Sequence, residues 1–583
     1  MPTPNDPSAR YWRVLLGVAP RLLSLLDREP RSPTRGSFDR VHWGWKFRDF
    51  PLNMWQASMM SLATLYRTPH PDNIYSSKPR LADWLGNAVS ATLDRQHRNG
   101  AFDSFTPFSQ DHGVTLAMVM TLATTAQSLG DVLPDALRDR LRESIRRACR
   151  FAAQSDEDYA FINNHQAAFA LAYLRAGRLL ADDALLARGD EVVAQVLKHQ
   201  SRDGWFEEYR GPDPGYETFG LTYLALVESE RPNAALRSAL SRSVHFLSHC
   251  VHPDGSIGGN YGSRHTSQYA PGGLELLAPH LPLAAAIADF VGDRFDRGNV
   301  VTPLRCDDDN LPLLTFSYSV AATVARPRPS SNPNLPCQRS DVLTRFDDSG
   351  VVVAATQRYF AVTNLSKGGV LRVFDRQSEE LAYEDSGFVL DTDEGEWVSH
   401  LLGESTTDSE SESNRVGVST RFAAMKHEVL TPLKFMVLRS LNLTVFRSIR
   451  LGALVRRMII ARLITGRKVG PWILHRSIAF EEGRVVLDDE VVPQERVRVT
   501  FTSLERSLLP MHMGSAKYFH TNELISVAPP ILEGWCEALS SGRPARLTQA
   551  IVFGDGGRVS IERIAERRAG LSPLTDLKER TLA

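Results

Sequence analysis

Over its first 323 residues the chain repeats one pattern: apolar residues at three-to-four spacing, in Ala- and Leu-rich segments separated by Gly, Pro and Asp. "MWQASMMSLATLYR", "GVTLAMVMTLATTAQSLG", "HQAAFALAYLRAG", "DDALLARGDEVVAQVLKHQ" and "RSALSRSVHFLSHC" each carry that period, which predicts α-helices. Several of them run out into similar loops, "DRQHRNGAFD", "FAAQSDEDYAF", "LKHQSRDGWFEE" and "SHCVHPDGSIGG". With Gln96, Gln154, Gln200 and Cys250 as matching points the intervals are 58, 46 and 50 residues, the length of a helical hairpin with its loops. Each hairpin must bury a face against its neighbours, so the repeat predicts an array that either extends or closes on itself. Polar loops leaving the same end of successive hairpins would crowd one rim, and that rim is the place to look for a site.

Near residue 324 the texture changes. "ARPRPSSNPNLPCQRSD" reads as a linker. Beyond it come period-two, β-branched segments, "GVVVAATQRYFAVTNLS", "GVLRVFD", "RVVLDD", "ERVRVTFTSL" and "TQAIVFGDGGRVSIERI", which predict an antiparallel β-sandwich. The fold class expected is therefore α+β multidomain, an (α/α) toroid of helical hairpins, expected to be incomplete, followed by the sandwich. The boundaries expected are an amphipathic or extended N-terminal segment over 1–39, the toroid over 40–323, the linker over 324–341, the sandwich over 342–565 and a tail over 566–583. One stretch of the sandwich departs from the pattern. From 429 to 480 there is no acidic residue, while Lys434, Arg439, Arg447, Arg450, Arg456, Arg457, Arg462, Arg467, Lys468 and Arg476 interleave with Leu, Ile, Val and Met. It predicts a basic helical insert packed on the sandwich, with an anionic-polymer surface or a peripheral membrane helix as the alternatives.

At 583 residues the chain exceeds what one hydrophobic core serves, in keeping with this division. Its 67 basic and 68 acidic residues leave a net charge of −1, so no global charge points to nucleic acid, and none is expected as a partner. Five scattered cysteines with no CxxC pair give no ground for zinc or redox chemistry, and a reducing compartment is the simpler expectation. The N-terminal apolar stretch is interrupted by Pro20 and Arg21 with no small-residue cleavage site after it, so a cytoplasmic location is expected, with periplasmic or secreted export by another route as the alternative. HExxH, P-loop, GxSxG and dinucleotide fingerprints are missing from the sequence. No metal and no cofactor are expected, and nothing in the sequence sets an oligomeric state.

Three stretches carry candidate chemistry. In "AFINNHQAAFALAYLRAG", residues 160–177, Asn163 reads as an N-cap with Gln166 completing a capping-box-like pair, which puts Asn164 and His165 in the first helical turn. Unpaired backbone N–H groups and the positive helix end there favour a bound carboxylate and keep a nearby imidazole neutral, the state that proton abstraction requires. The plain alternative is a capped helix with an incidental histidine. The second stretch, "DGWFEEYRGPDPGYETFGLTYLAL", residues 203–226, carries Glu207, Glu208, Tyr209, Asp213, Tyr216 and Glu217. An unaided phenol is a proton donor rather than a base. Tyr216 and Tyr223, seven residues apart, are also placed as one buried stripe. The third, "DGSIGGNYGSRHTSQYAPGGLELLAP", residues 254–279, has Asn260, Tyr261, Arg264, His265, Gln268 and Tyr269 between two glycine pairs, more donors than a connecting loop needs. Asp103, Gln110, Asp111 and His112 belong to the first loop, and two rim carboxylates could instead serve glycoside hydrolysis.

A helical-hairpin domain, a linker and an antiparallel sandwich, with "NNH" at a helix start and "DG…GYETFG" about fifty residues on, resemble the heparinase II/III-like polysaccharide lyases over roughly residues 40 to 560. The resemblance implies β-elimination at a uronic acid and an anionic polysaccharide or oligosaccharide as partner. It implies Asn164 as the group that polarises the sugar carboxylate, His165 as the base and Tyr216 as the acid or combined acid and base. Arg264 and His265 would assist neutralisation. Trp205, Tyr261 and Tyr269 would contact sugar, with Asn163, Glu217 and Gln268 as further polar contacts, and His400 would complete the cleft from the sandwich, ahead of His427 and His512. The tyrosine motif reads Gly-Tyr-Glu here where the family commonly has Ser-Tyr-His, which leaves Tyr223 as the alternative acid. The other readings are a glycoside hydrolase using rim carboxylates and a non-catalytic carbohydrate-binding or polysaccharide-assembly protein.

Overall fold

Two kinds of helix alternate along the first half, told apart by how much of their circumference is apolar. In the computed structural model, which describes residues 6–155, 161–328, 333–403, 405–407, 414–425, 429, 431–448, 451, 468–509, 514–525, 532–554 and 556–564, α4 (His112–Leu129) and α8 (Pro214–Glu230) are buried at nearly every position. By contrast α7 (Asp183–Lys198) buries only Gly189, Val192, Val193 and Val196. A helix apolar all round is enclosed by others, and one with a single stripe faces water. The enclosed set is α2 (Ser58–Arg67), α4, α6 (Asn163–Leu180), α8, α10 (Gly272–Leu277) and α12 (Leu311–Val324), and successive members pack side by side. The ring closes because α12 packs against α2. Around it run α1 (Ser8–Leu25), α3 (Pro79–Asp94), α5 (Asp135–Ala152), α7, α9 (Ala234–Ser248) and α11 (Pro282–Gly292).

The toroid is thus complete, where an incomplete one was expected. Its closing piece comes from the first 39 residues: α1 packs on α12, Arg10 pairs with Asp289 at 2.7 Å and the Tyr11 hydroxyl donates to buried Glu275 at 2.7 Å. These contacts join segments more than 260 residues apart, and local periodicity carries no trace of them.

After the linker, β1 (Val342–Phe346), β2 (Val351–Ala355), β3 (Tyr359–Asn364), β4 (Val370–Asp375) and β5 (Glu380–Asp385) form a five-stranded antiparallel sheet in chain order. One face, including Val351, Val353, Phe360 and Phe374, joins the core of the helical domain. The other, including Val352, Ala361, Leu371 and Val373, packs on Val418, Ile478, Leu487 and Ile551 of a second sheet. Cover on both faces explains why β2, β3 and β4 are buried at every position. The second sheet has nine strands among the described residues, with β10 (Val469–Glu481), β11 (Arg484–Pro493) and β13 (Ala545–Phe553) adjacent. These three alternate buried and open positions, as a sheet wet on one face should.

The basic stretch 429–480 divides. Its start is a helix, α13 (Pro432–Leu443), N-capped by Thr431, and its end is strand β10; residues 430, 449–450 and 452–467 lie outside the described residues, as do His427 and His512. This part of the stretch touches the toroid: Arg439 of the helix pairs with Asp49 and lies over Phe50, and beyond the helix the Arg447 guanidinium lies 4.6 Å from the ring centre of Phe108. No described helix is long and apolar enough to cross a membrane.

Candidate active site at the toroid rim

All inner helices begin at one rim, so the first turns of α4, α6 and α8 lie near one another, with the loops from the outer helices between them. The 199–211 loop folds back on itself through paired Gln200 and Phe206 and paired Glu208 and Gly211, and is tied to the start of α6 by pairing of Ile162 with Glu208. Tyr209 and Arg210 take left-handed backbone conformations (φ 54° and 72°), which turn the loop sharply just after Glu208.

That turn brings Glu208 to the N-terminus of α6. The Asn164 amide Nδ2 donates to Glu208 Oε1 at 2.7 Å, and the Asn164 backbone N–H donates to Oε2 at 3.2 Å. One of the chain's own carboxyl groups thus stands at this helix start. Burial raises the Glu208 pKa to about 8, against the opposing effects of His165 and of the Asn164 N–H, while Asp213 adds to the rise. His165 is half-buried and sits beside Phe169, which also faces His112 of α4 at 5.3 Å between ring centres. Asn163 does not cap the helix. The cap position is Ile162, and both polar atoms of the Asn163 side chain are buried with no hydrogen-bond partner among the described residues. Gly220 of α8 makes room for that amide: a Cβ there would lie 2.3 Å from Asn163 Nδ2.

Tyr216 stands in the first turn of α8, whose N-cap Asp213 accepts from the Tyr216 N–H at 3.1 Å. Its hydroxyl pairs with Ser515 Oγ of the sandwich domain at 2.5 Å. Burial pushes the phenol pKa well up, and the charges of Glu208, Asp213 and Tyr209 push the same way, so Tyr216 holds its proton. Glu208 thus interacts electrostatically with both His165 and Tyr216.

The 258–268 loop is held from both domains. Asp213 accepts from the Arg264 N–H at 2.8 Å and from the Thr266 hydroxyl. The Arg264 guanidinium lies 3.3 Å above the ring centre of Tyr209. His265, at φ 60°, is buried, and its Nε2 meets the ammonium of Lys367 at 3.0 Å. Lys367 also donates to the carbonyls of Asn260 (2.5 Å) and Gly262 (2.6 Å), and its burial lowers its pKa to about 7. His400 lies near enough for Lys367 to depress its pKa further, to about 3, after the larger effect of burial. Lys367 and Ser515 are among the sandwich residues that reach the rim, together with Asn364, which donates to the Tyr261 carbonyl, and Arg372, which donates to the Gly258 carbonyl; neither Lys367 nor Ser515 was singled out in the sequence. A lysine in "NLSKGG" between two buried strands is the faint signal Lys367 left.

Several expected contacts are corrected by burial. Tyr261 is enclosed and its hydroxyl meets His252 Nε2 at 2.9 Å; Tyr269 is enclosed beside Phe295; Gln268 is enclosed and donates to the Tyr518 hydroxyl at 2.5 Å. None of the three offers a surface to a sugar. Glu217 is spent inside the domain, accepting from Ser243 and from the Phe206 N–H, with its pKa raised to about 8 by burial. Trp205 is buried, His400 is wholly enclosed rather than facing a cleft, and Tyr223 lies two turns inside α8 in the core. The rim carboxylates of the hydrolase reading are also engaged: Glu207 with His199 (2.8 Å), Asp103 with His97 (2.8 Å), and Asp111 in capping α4. No group of three or more His, Cys, Asp or Glu side chains is placed to hold a metal ion among the described residues.

This rim, with its helix-start asparagines, lies inside the part of the chain that a known family covers. Residues 57–269 match the family model of the ulvan lyase N-terminal domain. The matched region spans α2 to the 258–268 loop and so contains Asn164, His165, Tyr216, Arg264 and His265. A comparison with curated proteins finds no match. Among solved structures, the chondroitin AC lyase of Streptomyces coelicolor A3 in complex with chondroitin sulphate superposes with a TM-score of 0.50 at 11% identity, over 85% of this chain and 67% of that one. A Paenibacillus xanthan lyase gives 0.49 at 10% identity, over 85% of this chain and 46% of the other, so this chain spans just under half its length. The resemblance to the polysaccharide lyases is thereby borne out in the family model and in the fold, a helical toroid followed by antiparallel sheets.

Proposed function

We propose that the protein is a polysaccharide lyase that cleaves a uronate-containing anionic glycan by β-elimination at the rim of the toroid. The observation that carries this reading is the grouping of Asn164, His165 and Tyr216 around Glu208, inside the region that matches the ulvan lyase domain. A half-buried imidazole at a positive helix end is a base for the acidic C5 proton of a uronate. A phenol that keeps its proton is the acid for the leaving glycosidic oxygen, which assigns Tyr216 the acid role rather than that of a resting base. Arg264, stacked on Tyr209, supplies positive charge for the enediolate that forms as C5 loses its proton. At neutral pH the raised pKa of Glu208 leaves that carboxyl largely neutral, so it does not repel a substrate carboxylate arriving at the same helix end.

The engagement of Glu207, Asp103 and Asp111 in internal pairs gives no support to a hydrolase. The test is ultraviolet absorbance of the C4=C5 double bond with ulvan, chondroitin sulphate, heparan sulfate and xanthan as substrates, beside His165→Ala. Ulvan is the first choice because of the family model. Absorbance that rises with wild type and not with the variant is expected. Reducing ends released with no ultraviolet product would replace elimination by hydrolysis, and binding without either product would leave a carbohydrate-binding protein.

A further inference from the structure

On the outer side of the rim, between the loop over residues 33–51 and the last turns of α3, lies a cavity of about 350 Å³ lined by Arg35, His42, Asn87, Ser90, Asp94 and Arg95 among others. Two of its groups lack what buried polar atoms normally have. Arg95 Nη1 and His42 Nδ1 are buried, and neither has a hydrogen-bond partner among the described residues. The carboxylates nearby are committed elsewhere. Asp94 pairs with Arg140 at 2.6 Å, and Asp39 accepts from the His42 N–H (3.1 Å), the Leu52 N–H (2.9 Å) and Arg48 (3.1 Å). Neither forms an ion pair with Arg95 among the described residues. The guanidinium is desolvated enough to lower its pKa to about 10, and its positive charge in turn helps hold His42 neutral.

Asp39 and Asp94 attract the Arg95 guanidinium from a distance but neither bonds it, and a buried guanidinium with no direct counter-charge is costly; a water molecule would satisfy one N–H without supplying that charge. An oxoanion satisfies both. It takes charge-assisted bonds from Arg95, a bond from His42 Nδ1 in the tautomer protonated there, and long-range attraction from exposed Arg35 at the mouth. The negative C-terminal end of α3 and the carboxylates of Asp94 and Asp39 act against an anion, but each carboxylate is paired with an arginine of its own, Arg140 and Arg48, which leaves Arg95 and Arg35 as the surplus charge. Asn87 and Ser90 beside them are side chains that suit the hydroxyls of a sugar carrying the anionic group.

We propose that this cavity is an anion-binding site for an oxoanion of carboxylate or sulfate chemistry, with Arg95 as its principal partner and Arg35 and His42 completing it. The group is either borne on a sugar or taken as the free ion. The site is separate from the rim residues of the elimination reading and does not depend on it.

The test is calorimetric titration of the full chain at pH 7 and constant ionic strength, chloride balancing, with sodium sulfate, glucuronate and neutral glucose. At least one anion is expected to bind and glucose is not. Arg35→Met and Arg95→Met should each weaken the binding at least tenfold, and His165→Ala should leave it unchanged. Glucuronate bound more tightly than sulfate assigns the sugar-borne source, and the reverse assigns the free ion. Because Arg35 is exposed, its variant keeps the test decisive should Arg95→Met not fold. Absence of binding by both anions, or binding that both arginine variants retain or that His165→Ala abolishes, overturns the site. Elimination activity is not read in this experiment, so its failure and that of the lyase reading are told apart.

Discussion

Asn164 and Glu208 are bound to each other twice, side-chain amide to Oε1 at 2.7 Å and backbone N–H to Oε2 at 3.2 Å, across 44 residues of sequence. The pair puts an acid whose pKa is raised to about 8 at the positive end of α6, next to His165. A uronate approaching that helix end meets a neutral carboxyl below this value and a carboxylate above it. We therefore expect kcat/KM for elimination to fall as pH rises through about 8, by roughly tenfold per unit once the group is ionised. Glu208→Gln should remove that alkaline limb while keeping the bonds from Asn164 in part. Profiles of kcat/KM against pH for the two proteins check this; the same limb in both would assign it to another group.

The proton-transfer roles give a second expectation. His165→Ala and Tyr216→Phe should each lower kcat by about 10²- to 10⁴-fold, the usual contribution of a positioned acid or base. They should differ in stability. His165 is half-buried, so its removal costs little, whereas Tyr216→Phe leaves Ser515 without the hydroxyl it meets at 2.5 Å, a loss of about 1 kcal/mol. Ser515→Ala makes the complementary deletion from the sandwich side. Should it match Tyr216→Phe in stability yet retain most of the activity, Tyr216 acts as a proton donor and not merely as a contact between domains. Steady-state kinetics beside urea denaturation separate the two effects.

The opening charges and periods of the chain made the large features legible. Helical hairpins near a fifty-residue period, one rim of polar loops and a sandwich after a Pro- and Ser-rich linker follow from local pattern, because burial on one stripe, all round or on alternate positions leaves distinct periods. The closure of the ring was not legible, since Tyr11 meets Glu275 and Arg10 meets Asp289 across most of the helical domain. The polar wealth of the 254–279 loop was read as substrate contacts, yet much of it is consumed in holding the loop itself: Tyr261 by His252, Asn260 and Gly262 by Lys367. A donor-rich sequence does not reveal whether its partners are ligand or protein. Lys367 is the clearest case, because its role exists only where sheet and toroid meet.

Buried titratable groups set the dependence of stability on pH. His252 and His265 are held neutral far below the usual imidazole range by burial, with His400 at about 3 and His249 and His520 at about 4. The unfolded chain binds protons at these histidines below about pH 6.5 that the folded chain refuses, so stability rises with pH up to that point. Glu208 and Glu217, raised to about 8, act in the opposite sense: their stabilising effect is complete below about pH 4.5 and lost as pH rises through 8. Lys367, lowered to about 7, adds stability between about 7 and 10 and offsets one of the two glutamates. Between pH 5 and 8 the urea midpoint should therefore peak near pH 6.5, with each unpaired proton worth about 1.4 kcal/mol per pH unit. Glu217→Gln should flatten the decline between 6.5 and 8. A midpoint that climbs steadily from pH 5 to 8 would contradict this balance.

The last expectation concerns Gly220, whose lack of a side chain lets α8 pass the buried amide of Asn163. A Cβ at this position would stand 2.3 Å from Asn163 Nδ2, well inside contact distance, so that buried amide must shift within a packed interior. Gly220 does not need its glycine for backbone reasons, since it lies in the interior of α8, where alanine is the better helix former by about 1 kcal/mol. Helix propensity and steric overlap thus pull Gly220→Ala in opposite directions, and overpacking of about 1–3 kcal/mol should win. Asn163→Ala in the same chain removes the obstructing amide, so the double variant should recover the helix-propensity gain and exceed Gly220→Ala in stability. A double-mutant cycle of urea midpoints measures that coupling. Additive changes would mean that α6 and α8 yield at this contact, and that Asn163 is not fixed by Gly220.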